Sequence, residues 1–197
     1  MTAVTVMPHD EARAWLPRDH DWTVDDLEHL PDDGLQYELF DGVLVVSPAP
    51  TRAHQRAAGR LFRLLDGVCP DTFEVLVAPL DFQPTNRRST QPDVLVVSRD
   101  DPDDKALHRP PLLVAEVLSP STKTKDLLLK KDVYESSGVP HFWVVDPGLD
   151  KSGTPVVTVY VLEDAAYQER GSARGTDTLE VAEPFPVRVC PADLISR

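Results

Sequence analysis

The chain has 197 residues, 41% hydrophobic and 27% charged, a composition that excludes collagen-like, coiled-coil and disordered classes and suits one domain with a real core. Twenty basic against 33 acidic residues give a net charge of −13, which taken whole argues against a nucleic-acid partner. No apolar run reaches about 18 residues, so a transmembrane helix is excluded.

In chain order, residues 1–22 read as an irregular leader with two prolines and no period, ahead of a domain over 23–197. Thr23 caps a short helix over 24–30, with acids in its first turn and leucines at 27 and 30. Strands 36–40 and 43–47 flank Asp41-Gly42, the pair that a type I′ hairpin favours. From 52 to 65 the period turns helical. Ala53, Ala57, Leu61, Leu64 and Leu65 form an apolar stripe, while Arg52, Arg56, Arg60 and Arg63 line a different face. Strands follow at 73–82, 93–98 and 112–118. The last two are near-continuous apolar runs, as central strands buried on both faces should be; Pro79 and Pro84 restrict the first to an edge or a bend. A cap-rich turn over 119–122 leads into a helix over 123–137, ended by Gly138. Another apolar strand fills 141–145. Residues 156–162, 166–170 and 178–181 read as outer antiparallel strands, and 191–197 as a final helical turn. The order predicts an α/β (mixed α+β) domain around one sheet.

The charge is unevenly placed. Residues 1–50 hold 11 acids and 2 bases, 51–132 hold 12 and 13, and 133–197 hold 10 and 5. A polyanion-binding surface therefore falls to the stretch 51–65, which has four arginines and no acid, although the same arginines would serve as a solvated helix face. Cys69 and Cys190 have no local spacing pattern and read as buried thiols. Met1 to Leu16 shows no basic flank before an apolar stretch, so a soluble cytoplasmic protein is the default expectation.

Two carboxylates stand out. Glu116 lies inside Leu113-Val114-Ala115-Glu116-Val117-Leu118, where burying a carboxylate is costly unless it is paired, hydrogen-bonded or bound to a metal. Asp93 opens the neighbouring apolar strand. Two acids on adjacent strands suit a hard divalent cation such as magnesium, completed by waters and a substrate phosphate. Asp126, Lys130 and Tyr134 recur every four residues and share a helix face, which lets Lys130 reach the strand ends. The bland alternatives are an ion pair of Glu116 with Lys130 or Arg109, and a helical pair of Asp126 with Lys130. No Gly-rich phosphate loop, nucleophile elbow or His-Glu-x-x-His is present, and Ser119 and Ser121 read as turn and cap residues.

At these residues the chain resembles a known pattern. Tyr37-Glu38-Leu39 with Asp41-Gly42, His54-Gln55, Gln91-Pro92-Asp93, Glu116-Val117-Leu118-Ser119-Pro120-Ser121-Thr122, then Asp126, Lys130 and Tyr134, Gly138-Val139-Pro140 and Trp143-Val144-Val145-Asp146-Pro147 occur in order. Together they resemble the Uma family of restriction endonucleases, a bacterial branch of the PD-(D/E)XK nucleases, from about Thr23 to the C-terminus. The resemblance implies a restriction-endonuclease-like core, a central mixed sheet flanked by helices with extra antiparallel strands. It also implies DNA phosphodiester hydrolysis dependent on Mg2+ or Mn2+. Carried over, Asp93 and Glu116 match the metal-holding acids. The lysine expected two residues after Glu116 is Leu118 here, and Lys130 on the next helix takes its place, with Lys131 and Lys125 as lesser candidates. Helix 52–65 lacks the acid that such nucleases often carry there, so Glu38 on the hairpin either supplies it or is structural. The implied partner is DNA, met through Arg52, Arg56, Arg60 and Arg63 with Lys123, Lys125, Lys130 and Lys131. Cutting both strands takes two sites, which makes a homodimer a further expectation. Leu118 and the acidity favour a rival, a catalytically weak or inactive relative that binds nucleic acid or protein; a phosphodiesterase for RNA or small phosphates is a third reading.

Overall fold

The computed structural model describes residues 21–102, 105–119, 125–149 and 153–196. Most of the leader, Ser121, Lys123 and the side chains of Lys125 and Asp126 thus lie outside the described residues. The carboxylate of Asp26 accepts hydrogen bonds from the Thr23 N–H and hydroxyl, which starts α1 (Val24–Leu27). Asp41 and Gly42 both take positive φ, 50° and 85°, and join β1 (Gln36–Phe40) to β2 (Val43–Ser47) in the register that a two-residue hairpin sets. Thr51 caps α2 (Arg52–Asp66), whose Ala57, Leu61 and Leu65 are fully buried.

The strand expected over 73–82 is two strands. A cis Ala78-Pro79 bond lies between β3 (Phe73–Val77) and β4 (Asp81–Thr85), and the pieces belong to different sheets. There follow β5 (Arg88–Thr90), β6 (Val94–Ser98), β7 (Ala106–Leu107) and β8 (Leu113–Val117). Then come α3 (Lys125–Ser136), β9 (His141–Asp146), β10 (Val156–Glu163), β11 (Ala166–Arg174), β12 (Leu179–Val181), β13 (Val187–Val189) and α4 (Pro191–Ile195).

The fold is mixed α+β, as the element order implied, but it is not built on one sheet. A six-stranded sheet runs β11-β10-β9-β8-β6-β3, with β8 and β9 parallel and the other pairs antiparallel. The hairpin starts a second sheet instead, in the order β2-β1-β5-β4-β7, and β12 pairs with β13 alone. β6 and β8 are buried along nearly their whole length, which explains their unbroken apolar runs. One face of the large sheet packs Val94, Val96, Leu113, Ala115 and Val117 against α2. The opposite face packs Leu95, Val97 and Val114 with Val133 and Tyr134 of α3 and with Phe40 and Phe82 of the second sheet. Among the described residues no helix is long and apolar enough to cross a membrane.

His141 at the start of β9 is buried, and that burial holds its imidazole below the ordinary value against the opposing charge of Glu183. The unfolded chain therefore takes up this proton first. The stability that His141 contributes is complete above about pH 6.5 and drains away as pH falls below that value. Urea midpoints measured at about pH 7.5 and about pH 5.5 are expected to drop further for the wild type than for His141→Gln. Equal drops would remove His141 from the acid response.

Candidate active site

Side-chain alternation along β8 sets the site. Ala115 and Val117 point into the α2 side of the sheet, so Glu116, like Val114, turns toward α3. There the two α3 residues one turn apart meet it. The Tyr134 hydroxyl donates to Glu116 Oε1 at 2.6 Å, and Lys130 Nζ lies 3.0 Å from Oε2. Lys130 Nζ is also 3.0 Å from Oε1 of Glu38, which β1 brings in from the second sheet, and 3.5 Å from the Gln91 carbonyl. The Gln91 N–H donates to Glu38 Oε1 at 2.9 Å. Its side-chain amide donates to Asp81 Oδ1 at 2.8 Å, so one glutamine ties β1 to β4 within the second sheet.

Asp93 directly precedes β6, whose Val94 lies opposite Ala115 of β8. Its Oδ2 accepts from the Val117 N–H at 2.7 Å and lies 3.1 Å from His54 Nε2 on α2. Glu38, Asp93, Glu116 and Lys130 are all buried, each less than 10% exposed. Among the described residues the site therefore sets three carboxyl groups against one ammonium. Burial, and then the charges of Asp93 and Glu38, hold the Glu116 carboxyl well above the usual range, against the pull of Lys130. Burial alone would drive Lys130 toward neutrality, but the Glu116 and Glu38 carboxylates reverse this and keep it a firm cation. Tyr134, buried beside Glu116, is held well above its ordinary value and stays a phenol donor. Burial also raises Asp81, with the Gln91 and Gln83 amides opposing.

The structure thus gathers Glu38, Asp93, Glu116 and Lys130, residues far apart in sequence, around two strand ends. The partner of Glu116 is Lys130 and not Arg109, which is exposed. Lys131 stands apart, with its ammonium 4.7 Å from the centre of the Tyr160 ring. The arginine stripe is also apart. Arg52, Arg56, Arg60 and Arg63 occupy the side of α2 opposite Ala57, Leu61 and Leu65, so the sheet lies between them and the Glu116–Lys130 pair. Arg60 is tied to the last helix by bonds to the Asp193 carbonyl and the Ser196 hydroxyl. Asp81 and the Val117 N–H had no signal in the sequence. His54 did carry one, a polar residue in line with the apolar stripe.

Among the described residues no group of three or more His, Cys, Asp or Glu side chains converges as a ready metal cage. The donor chemistry nevertheless suits a hard cation. Asp93 and Glu116 are oxygen donors at adjacent strands of the large sheet, and Glu38 adds a third carboxyl from the second sheet around Lys130. The chain belongs to the Uma2 family, whose model, described as "Putative restriction endonuclease", matches residues 24–193. Among solved structures, the fold matches a crystal structure described as a putative nuclease belonging to DUF820, from Anabaena variabilis. That match has a TM-score of 0.68 at 19% identity and covers 88% of this chain and 97% of the other. No curated protein sequence matches the chain.

Proposed function

We propose that this protein is a nuclease that hydrolyses phosphodiester bonds in DNA with Mg2+ or Mn2+. The observation that supports this reading most is the buried excess of carboxylate at Glu38, Asp93 and Glu116 around a single lysine. Asp93 and Glu116 would hold the cation, which when bound polarises a phosphoryl oxygen and acidifies a water. Lys130 stays protonated, so it does not act as a base. Its role is to hold a positive charge beside the phosphate where negative charge builds up and to orient the water, with Glu38 fixing its position. Tyr134 holds Glu116 by its hydroxyl and excludes water from behind it. Lys123 and Lys125, which follow β8 in the chain, are the proposed phosphate contacts, and two-strand cutting would use a homodimer. Leu118 and the clamping of Lys130 by two carboxylates favour the second reading, a weakly active relative that binds nucleic acid.

Nicking of supercoiled plasmid separates the two. Purified protein is expected to nick with Mn2+ or Mg2+, to stop on chelation, and to lose about 10³-fold in rate in Asp93→Asn, matching several kcal/mol of metal-borne stabilisation. Nicking by Asp93→Asn at the wild-type rate would rule out the nuclease reading.

A further inference from the structure

His54 stands where helix packing favours an aliphatic residue. It lies in the first turn of α2, in line with Ala57, Leu61 and Leu65, and its side chain is 12% exposed. Among the described residues its buried Nδ1 has no hydrogen-bond partner. Leaving a buried polar atom unpaired is costly, and a leucine at this position would not incur that cost. Among the described residues the imidazole provides one polar contact in return. Its Nε2 lies 3.1 Å from Asp93 Oδ2. An ionised carboxylate only accepts, so the Nε2–H is the donor whatever the charge of the ring.

The Val117 N–H donates to the same oxygen from the neighbouring strand at 2.7 Å. Two donors from different elements, α2 and β8, fix both the position and the rotation of the Asp93 carboxylate. Among the described residues both of its bonds fall on Oδ2, which leaves the lone pairs of Oδ1 to be given elsewhere. We infer that His54 is a positioning residue that, together with the Val117 N–H, holds the Asp93 carboxylate oriented to bind a divalent cation. This rests on the nuclease reading, in which Asp93 is a metal donor. His54 touches neither substrate nor metal; it acts through Asp93.

The test is calorimetric titration of the full chain with MnCl2, in wild type, His54→Gln, His54→Asn and Asp93→Asn, with urea midpoints taken alongside. The glutamine amide nitrogen reaches the place of Nε2 and the shorter asparagine does not. His54→Asn is expected to weaken Mn2+ binding by about 10- to 100-fold, the usual cost of losing the partner of a metal ligand, and His54→Gln by less than about 3-fold. A structural role alone would move the urea midpoint and leave the Gln and Asn affinities alike. Binding by His54→Asn at the wild-type affinity, or equal weakening in both variants, overturns this inference and leaves the nuclease reading standing. Absence of Mn2+ binding by the wild type, or its survival in Asp93→Asn, overturns the metal role of Asp93 and this inference with it.

Discussion

Lys130→Met is expected to destabilise the protein by about 3–5 kcal/mol, as breaking a buried charge pair from one side does. The methionine keeps most of the stem, so the loss isolates the charge and not a cavity. Without the ammonium, Glu38, Asp93 and Glu116 share a buried site with no cation, and Lys130 Nζ no longer stands 3.0 Å from two of them. The pH response carries the signature. In the variant the Glu116 carboxyl, already held above its ordinary value, also loses the opposing pull of Lys130, so the folded state binds its proton more readily than the unfolded chain. Stability is then regained as pH falls from about 7 toward about 5, where acid usually weakens a protein. Urea denaturation at both pH values measures this, and a loss under about 1 kcal/mol at pH 7 would mean that the carboxylates do not depend on Lys130.

Glu116→Gln is expected to act in opposite directions on activity and stability. Plasmid nicking falls by about 10³-fold, because an amide is a poor ligand for a hard cation. The folded state, by contrast, gains about 0.5–2 kcal/mol at neutral pH, since the most strongly burdened carboxylate no longer ionises between Asp93 and Glu38. The amide oxygen still accepts from Lys130, and the Tyr134 hydroxyl, which can accept as well as donate, turns to take an amide hydrogen. Because Glu116 is held above its ordinary value, its ionisation costs the wild type stability as pH rises, and the gap between the proteins widens from about pH 5 to about pH 8. A variant less stable than wild type across that range would show that the carboxylate is not under strain.

Much of the site was legible because burial of charge leaves a local trace. Glu116 announces itself as the one acid in an apolar strand, and the four-residue spacing of Lys130 and Tyr134 places both on the helix face that meets it. Glu38 and Asp93 gain weight only through the family resemblance, since an acid in a hairpin or at a strand start is ordinary. The arginines of α2 show what periodicity leaves undetermined. It sorts a helix into faces but does not say on which side of a sheet the helix lies, and the stripe faces away from the acids. The division into two sheets was hidden for a related reason. Pro79 marks a break, yet whether β4 pairs with β3 or with β5 and β7 depends on partners far along the chain. Asp81 and Gln91 matter through such pairings, and their immediate neighbours hold no hint of it.

The bonds of the cluster span from 10 residues, between Asp81 and Gln91, to 92, between Glu38 and Lys130. Loops of that length close slowly, and none of these contacts rewards the chain until its partner strand is in place. The hairpin, α2 and α3 can each form from local contacts, whereas the polar centre exists only after both sheets have docked. Its assembly is therefore a report on the completed molecule. A chain halted before α3 has its acids but no lysine to gather them, so competence for chemistry arrives at the end of folding and not along the way.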